Sequence, residues 1–183
     1  MRKKILLSIL SMVLVTSVFS ACGNTESESE SSAVAGTSST LSKSTNDVGF
    51  KDVLKAENFE FKIISADEAK SFKNALGNEY KAKDGMKLLL VVISAKNTSD
   101  DTMNVENVNF NSYVDDDKIS IVSATGEING YKPLLGAVSR KKSMVGYTIW
   151  QVPDNWKKLE FSYIDSLSGS ESDKMVIKST DIK

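Results

Sequence analysis

The sequence predicts an all-β domain, an antiparallel β-sandwich, and three observations carry that prediction. Apolar residues alternate with polar ones over several short runs, the period of a strand with one buried face. One run, Leu88-Leu89-Leu90-Val91-Val92-Ile93, is apolar on both faces, as a strand in the middle of a sheet is. Polar clusters rich in Asn, Asp, Ser and Gly separate these runs at short intervals, which is the spacing of an all-β fold. Alternation alone does not separate a sandwich from a closed barrel. Sandwich is the expectation taken forward.

Residues 1–21 read as a lipoprotein signal peptide. Arg2, Lys3 and Lys4 form a basic head, Ile5 to Phe19 is uncharged and mostly apolar, and Phe19-Ser20-Ala21 leads into Cys22, the one cysteine of the chain. The apolar run is shorter than the roughly 20 residues of a comfortable membrane span, and the basic head favours the cytoplasmic side. The segment resembles the lipobox of bacterial lipoproteins, with Phe19 where that pattern has Leu. The resemblance implies a diacylglycerol on the Cys22 sulfur, cleavage before Cys22 and acylation of the new amino terminus. Two or three acyl chains anchor a protein stably, where one does not. An ordinary signal peptide cut near Ala21 and an uncleaved anchor are the alternatives.

Residues 22–47 carry the lipidated cysteine and a linker. Ser, Thr and Gly dominate it, Glu26, Glu28 and Glu30 are interleaved, and large apolar residues are nearly absent. Such a segment cannot bury enough surface to offset its ordering entropy and is expected to act as a flexible tether. Residues 48–183 form the sandwich domain.

Composition narrows the function classes. The first 21 residues hold three basic and no acidic residues, so the remaining 162 carry 20 Lys and Arg against 24 Asp and Glu. That balance offers no clustered basic face for nucleic acid. The chain has no histidine, which removes Ser-His-Asp and Cys-His nucleophile systems and His-ligated zinc. With one cysteine there is no intramolecular disulfide. Carboxylate chemistry, Ser-Lys chemistry or no chemistry is what composition leaves open.

Within the domain, Phe59, Phe61 and Ile63 alternate with Glu60 and Lys62 in a first strand. Ser65-Ala66-Asp67-Glu68 has capping-box spacing, and Ala69, Phe72 and Leu76 would line one helix face. Residues 65–76 are therefore expected as a short helix or an extended loop. Leu76-Gly77-Asn78 and Lys83-Asp84-Gly85 signal turns. Met86 to Lys96 is the strongest strand, and Asn97-Thr98-Ser99-Asp100-Asp101 the turn after it. Short strands follow at Thr102 to Val105, Val108 to Val114 and Ile119 to Val122, the last two joined through Asp115-Asp116-Asp117. Ala124 to Ala137 is irregular. In Lys141 to Val152, Val145, Tyr147 and Ile149 share one face and Met144, Thr148 and Trp150 the other. Pro153 ends that strand. Leu159, Phe161 and Tyr163 mark the next strand, and Met175 to Ile177 the last.

Two segments carry a family resemblance. Gly85 to Val92 leading into Lys96-Asn97-Thr98, and Gly146 to Pro153 followed by Leu159-Glu160-Phe161, resemble small Gram-positive surface lipoproteins with a domain of unknown function of the 4352 type. They are also similar to an immunoglobulin-like antigen secreted by mycobacteria. The resemblance spans roughly Phe59 to Ile164. It implies an immunoglobulin-like sandwich at the cell envelope and supplies no catalytic residue. Where the family has Pro-Gly before its closing hairpin, this chain has Ser139-Arg140-Lys141-Lys142.

The candidate sites are few. Trp156, Trp150 and Tyr131, with Tyr113, are the aromatic residues that would form a binding patch for glycan or protein, since Trp and Tyr dominate interface hot spots. A strand tryptophan equally suits a core. Asp115, Asp116 and Asp117, with Asp100 and Asp101, are oxygen donors of the kind calcium takes. However, no glycine follows at EF-hand spacing, and consecutive acids in a turn are usually solvated. No metal and no cofactor is expected. Ser139, Ser143 and Lys142 have the residue types of Ser-Lys chemistry, at a spacing that also suits a strand entrance. Asn97-Thr98-Ser99 matches a glycosylation acceptor and reads as a turn.

The expectation is a membrane-anchored extracellular lipoprotein whose non-catalytic sandwich binds an envelope protein or glycan. The first alternative is an accessory lipoprotein that modulates an exporter, transporter or sensor. A carboxylate-based hydrolase is the enzyme alternative. A two-lobed solute receptor does not fit so short a chain.

Overall fold

The computed structural model describes residues 47–182. The signal segment, Cys22 and nearly all of the linker lie outside the described residues, so the expectations placed on them are carried forward from sequence alone.

Strands follow one another as β1 (Val53–Lys55), β2 (Phe59–Ala69), β3 (Ser71–Lys73), β4 (Glu79–Lys81), β5 (Met86–Asn97), β6 (Met103–Glu106), β7 (Phe110–Val114), β8 (Asp117–Ile119), β9 (Leu135–Val138), β10 (Ser143–Pro153), β11 (Lys158–Tyr163) and β12 (Met175–Lys178). They form two four-stranded sheets, ordered β1-β2-β5-β10 and β12-β11-β7-β8, with two-stranded ribbons β3-β4 and β6-β9. Every ladder is antiparallel. The arrangement is the antiparallel β-sandwich the sequence predicts.

The doubly apolar run becomes β5, the centre of the first sheet, paired along its length with β2 and β10. Leu89, Val91, Ile93 and Ala95 face the second sheet in the main core, with Trp150, Phe161, Phe59 and Phe61. Leu88, Leu90 and Val92 face the other way, where Tyr147, Ile149 and Ile128 close a smaller cluster. Phe72 and Tyr80 of the β3-β4 hairpin pack against that cluster. Two buried faces explain why β5 shows no alternation.

The stretch from Ser65 to Lys73 is strand, bent at Lys70, and Asn74 to Leu76 begin the loop between β3 and β4. Ser65 to Ala69 continues β2 and pairs with Val92 to Leu88, after a register shift between Ile63 and Ser65. Ile64 is the extra residue of this bulge and points to solvent. The bulge inverts the phase of alternation, so Ala66 faces the same core as Phe59, Phe61 and Ile63. Ladder pairing with β5 overrides the local capping pattern. Glu68, the far end of that pattern, accepts hydrogen bonds from Lys87 Nζ (2.7 Å) and Trp156 Nε1 (3.0 Å) instead.

Two junctions shape the ends. Asn97 is fully buried. Its Nδ2 donates to the carbonyls of Asp101 (2.7 Å) and Val138 (2.8 Å), and its Oδ1 accepts from Ser99 N (2.8 Å) and Ser99 Oγ (2.7 Å). The asparagine of the Lys-Asn-Thr segment thus ties the end of β5 to the end of β9. Beside it, Lys141 takes the left-handed backbone (φ 55), and its Nζ donates to the Thr98 carbonyl and pairs with Asp100 at 3.2 Å. The departure from Pro-Gly is accommodated by these contacts.

The segment from Ala124 to Ala137, expected to be irregular, is ordered by β10. Pro133 bridges Tyr147 in parallel. The Tyr147 N–H donates to Lys132 O and the Leu134 N–H to Tyr147 O, both 2.8 Å. A Cβ on Gly146 would stand 2.7 Å from Leu134 Cα, so this close approach requires glycine.

Candidate functional site

The structure disperses the aromatic residues that were candidates for a binding patch. Trp150 is fully buried, stacks on Phe161 at 5.1 Å and donates from Nε1 to Ser112 Oγ (2.9 Å). Trp156 is 3% exposed, with its ring in the main core and its Nε1 on Glu68. Neither presents a face to a ligand, which corrects their assignment as binding residues. An indole buries more surface than any other side chain, and an acceptor for its N–H makes burial favourable. The Glu68 carboxyl that caps Trp156 is held below its ordinary range, first by Lys87 and also by Trp156. Tyr131 is half-buried against the smaller cluster and closes a tight turn on Ile128. Tyr113 lies half-buried on the outer face of the second sheet, with Lys174 Nζ 5.6 Å from its ring centroid.

The aspartates are committed to turns. Asp115 (φ 47) and Asp116 (φ 74) are the two central residues of the β7-β8 hairpin, a left-handed pair that Asp tolerates. The Asp115 carboxylate accepts from the N–H groups of Lys157 (3.1 Å) and Lys158 (2.9 Å). Asp116 points to solvent, 3.8 Å from Lys158 Nζ, and Asp100 pairs with Arg140 at 3.0 Å. Among the described residues no three His, Cys, Asp or Glu side chains are arranged to hold a metal. Ser139, Lys142 and Ser143 are exposed, and the Lys142 N–H closes a backbone turn on Ser139 O. Cys22 lies outside the described residues.

What the molecule offers instead is an aliphatic groove. Val108 sits in a 3-10 turn, Asn107–Asn109, that precedes β7. The turn swings Val108 outward to 66% exposure, although alternation places it in line with the buried Phe110, Ser112 and Val114. Leu135 on β9 is 58% exposed and Ile164 after β11 is 37% exposed. Two adjoining hollows meet at Val108 and Ile121. One, of about 480 Å³, runs toward Pro133 and Leu135. The other, of about 360 Å³, runs along Phe110 and Asn111 to Ile119 and Ile164. These exposed aliphatic side chains make the groove the candidate site.

The chain's path creates the groove. β8 leaves the second sheet after Ile119, and Ile121 then bridges Trp150 on the first sheet, with Val122 N–H donating to Ile149 O at 2.7 Å. The far wall is fixed by Tyr147, whose hydroxyl donates to Gly126 O at 2.9 Å. Burial pushes the Tyr147 hydroxyl pKa up to about 12, so this tie stays protonated across physiological pH. The signal that could have located the groove is Val108 directly between Asn107 and Asn109, a pair that favours turns.

Comparison with known proteins agrees with this architecture. Residues 48–174 match the family DUF4352, a domain of unknown function. Among solved structures, the chain is similar to ycdA, a candidate lipoprotein of Bacillus subtilis. The identity is 22% and the TM-score 0.55, over 70% of this chain and 39% of ycdA. The match therefore spans well under half of that protein. The chain is also similar to the yjhA protein of Bacillus subtilis, at 16% identity and a TM-score of 0.54, over 72% of this chain and 98% of that one. At these identities the shared property is the fold. No curated protein matches the chain.

Proposed function

Because the chain belongs to the DUF4352 family, we propose that it is a lipid-anchored extracellular protein whose sandwich is a non-catalytic binding module of the cell envelope. The observation that carries this reading is the groove around Val108, where aliphatic side chains stand exposed on a scaffold that buries its tryptophans. The anchor is supported by the basic head, the apolar run and the approach to Cys22. A candidate lipoprotein shares the fold. Among the described residues no helix is long and apolar enough to cross a membrane. The proposal includes the likeness of this family to the mycobacterial immunoglobulin-like antigen, on the same two segments, Gly85 to Thr98 and Gly146 to Phe161, that carry the family resemblance.

Among the described residues the two buried carboxylates, Glu160 and Asp165, are held by structural contacts. Glu160, on the outer face of the second sheet, is paired with Lys158 at 3.1 Å and Lys174 at 3.9 Å. Burial pushes the Asp165 carboxyl up, but hydrogen bonds from Asn58 and from the Leu167 and Ser168 backbone outweigh it and hold the group below its ordinary range. A general acid needs the opposite shift.

Two measurements in cells test the reading. Radiolabelled palmitate should label the wild type and not Cys22→Ala; equal labelling removes the anchor. A photoreactive residue at Val108 should give one dominant cross-linked product, absent when the probe sits at Val53, an exposed residue of β1 on the first sheet. The same diffuse products from both positions would remove the binding face.

A further inference from the structure

We propose that Asn129 is the residue at which this chain deamidates spontaneously, by attack of the Gly130 amide nitrogen on the Asn129 side chain. The isoaspartate that results loosens the wall of the groove. The inference stands on the turn that holds the two residues and goes beyond the binding-module reading.

The geometry of the turn supplies the first argument. Asn129-Gly130 is the one Asn-Gly pair of the chain. It forms the centre of a two-residue turn, in which the Ile128 N–H donates to Tyr131 O (2.9 Å) and the Tyr131 N–H to Ile128 O (3.0 Å). Both central residues are left-handed, Asn129 at φ 53 and Gly130 at φ 81, and both are exposed; such turns favour this residue pair. Among the described residues neither the Asn129 side chain nor the Gly130 N–H has a hydrogen-bond partner. A Cβ on Gly130 would meet nothing within 4 Å, so the attacking nitrogen stands in open space.

Other asparagines lack one part of this arrangement. Asn97 and Asn74 are buried with their amides bonded, Asn97 to the carbonyls of Asp101 and Val138 and Asn74 to that of Thr125. Asn58 and Asn111 donate to the carboxylates of Asp165 (2.9 Å) and Glu171 (3.1 Å). Asn104 and Asn107 precede valine and Asn155 precedes tryptophan. Bulk on the following residue crowds ring closure, and a stiff β-branched side chain cannot swing clear.

The chemistry needs only water. Asparagine is a thermally labile side chain. The Gly130 nitrogen loses its proton and bonds to Asn129 Cγ; the Cγ–Nδ2 bond breaks and ammonia leaves with a proton. Water then opens the cyclic imide at either carbonyl, giving aspartate or isoaspartate. Reaching the attack geometry means opening the turn, which breaks only the two Ile128–Tyr131 bonds, and exposed backbone bonds of this kind open at low cost. In isoaspartate the main chain runs through the side-chain methylene and is one carbon longer. The longer chain cannot keep both Ile128–Tyr131 bonds. Ile128 is buried in the smaller cluster with Tyr147 and Ile149. Gly126, whose carbonyl accepts from the Tyr147 hydroxyl, lines the hollow that runs toward Pro133 and Leu135. A change at the turn therefore reaches the groove wall.

The test incubates the full chain in nanodiscs at neutral pH and maps its peptides by mass spectrometry, with isoaspartate read separately by an isoaspartyl methyltransferase. Most of the converted amide in the folded chain should lie at Asn129, with isoaspartate present. Gly130→Asn keeps a residue type that tolerates the left-handed backbone and adds a side chain beside the attacking nitrogen. It should lose most of the conversion with an unchanged circular dichroism spectrum. The isoaspartyl form, separated by ion exchange, should exchange amide hydrogens faster at residues 126–131. Asn129→Asp, which adds the charge without lengthening the chain, should leave that exchange nearly unchanged. Conversion at Asn129 in the urea-unfolded chain but not in the folded one would show that the turn protects the amide and overturn the inference. Conversion spread over the exposed asparagines, or undiminished in Gly130→Asn, would overturn it too. Unchanged exchange in the isoaspartyl form would overturn the link to the groove wall. The Val108 cross-link in cells tests the binding face separately from all of these.

Discussion

The two edges of the second sheet are treated in opposite ways. At β12 the first described residues add a parallel bridge through Val48, which closes the ladder where the tether begins. At the opposite edge the chain leaves β8 after Ile119, crosses to Trp150 and leaves Phe110 of β7 beside the groove. Exposed edges invite unwanted pairing, and proteins usually cover, shorten or charge them. The same fold closes one edge with its own chain and lines the other with Val108 and Ile164. The difference teaches that the open edge is not a general slackness of the sheet.

The comparison can be broken or sharpened by substitutions of decreasing effect. Trp150→Ala should remove the shared support of both edges. It empties a fully buried site between Phe110 and Phe161 and leaves Ser112 Oγ without its donor. The expected loss is about 3–5 kcal/mol by chemical denaturation, and both edges should loosen together. A loss below about 1 kcal/mol would mean the sheets do not share that core.

Alkaline pH should act next. The folded Tyr147 hydroxyl has its pKa raised by burial from 10.0 to about 12. A raised folded value means its contribution is fully present below pH 10 and is lost as pH rises through about 12. The contribution is of order 2–3 kcal/mol. Because Tyr147 ties down Gly126, the groove wall should loosen over this range, and Tyr147→Phe should flatten the alkaline limb of the stability curve.

Gly146→Ala should cost about 1–3 kcal/mol, because the new Cβ meets Leu134 backbone rather than a movable side chain. Hydrogen exchange should rise at residues 132–135, beside the open edge. Val48→Pro should cost less, about 1–2 kcal/mol, by deleting the N–H that bonds Lys174 O. Its effect should be confined to β12. Val108→Asp should change stability by no more than about 0.5 kcal/mol, as an exposed substitution does, while weakening cross-linking from a photoreactive residue placed at Leu135 in the same groove.

Much of the sandwich was legible in the sequence, for reasons particular residues make clear. Leu88 to Ile93 announced a central strand because both of its faces are buried. Leu159, Phe161 and Tyr163 alternated cleanly because the neighbouring face of β11 carries Glu160 and Ser162. Residues 65–69 were obscured by one extra residue, Ile64, which reversed the phase. The β3-β4 hairpin was hidden because its strands are three residues each, too short for periodicity. Pairing of residues 132–134 with β10 is non-local and leaves no mark in its own composition.

The site was less legible than the fold. Residue type pointed to Trp150 and Trp156, since aromatic residues favour both cores and interfaces, and the choice between them depends on packing that sequence does not display. Val108 continued the alternation of Phe110, Ser112 and Val114. A single 3-10 turn reversed its direction. Asn97 read as an ordinary turn residue, yet its buried amide joins β5 to β9. The binding surface is made where local geometry departs from the strand period, and a period-based reading assigns such residues to the core.

The central claim, that the two edges differ because one awaits a partner, is tested most directly by hydrogen–deuterium exchange on the lipid-anchored protein. Exchange in native membrane fractions is compared with exchange of the purified full chain in nanodiscs. The account predicts added protection in the membrane fractions at residues 107–112 and 119–122, with residues 174–177 of the covered edge protected equally in both. Equal exchange at the β7 flank, or added protection confined to β12, would contradict it.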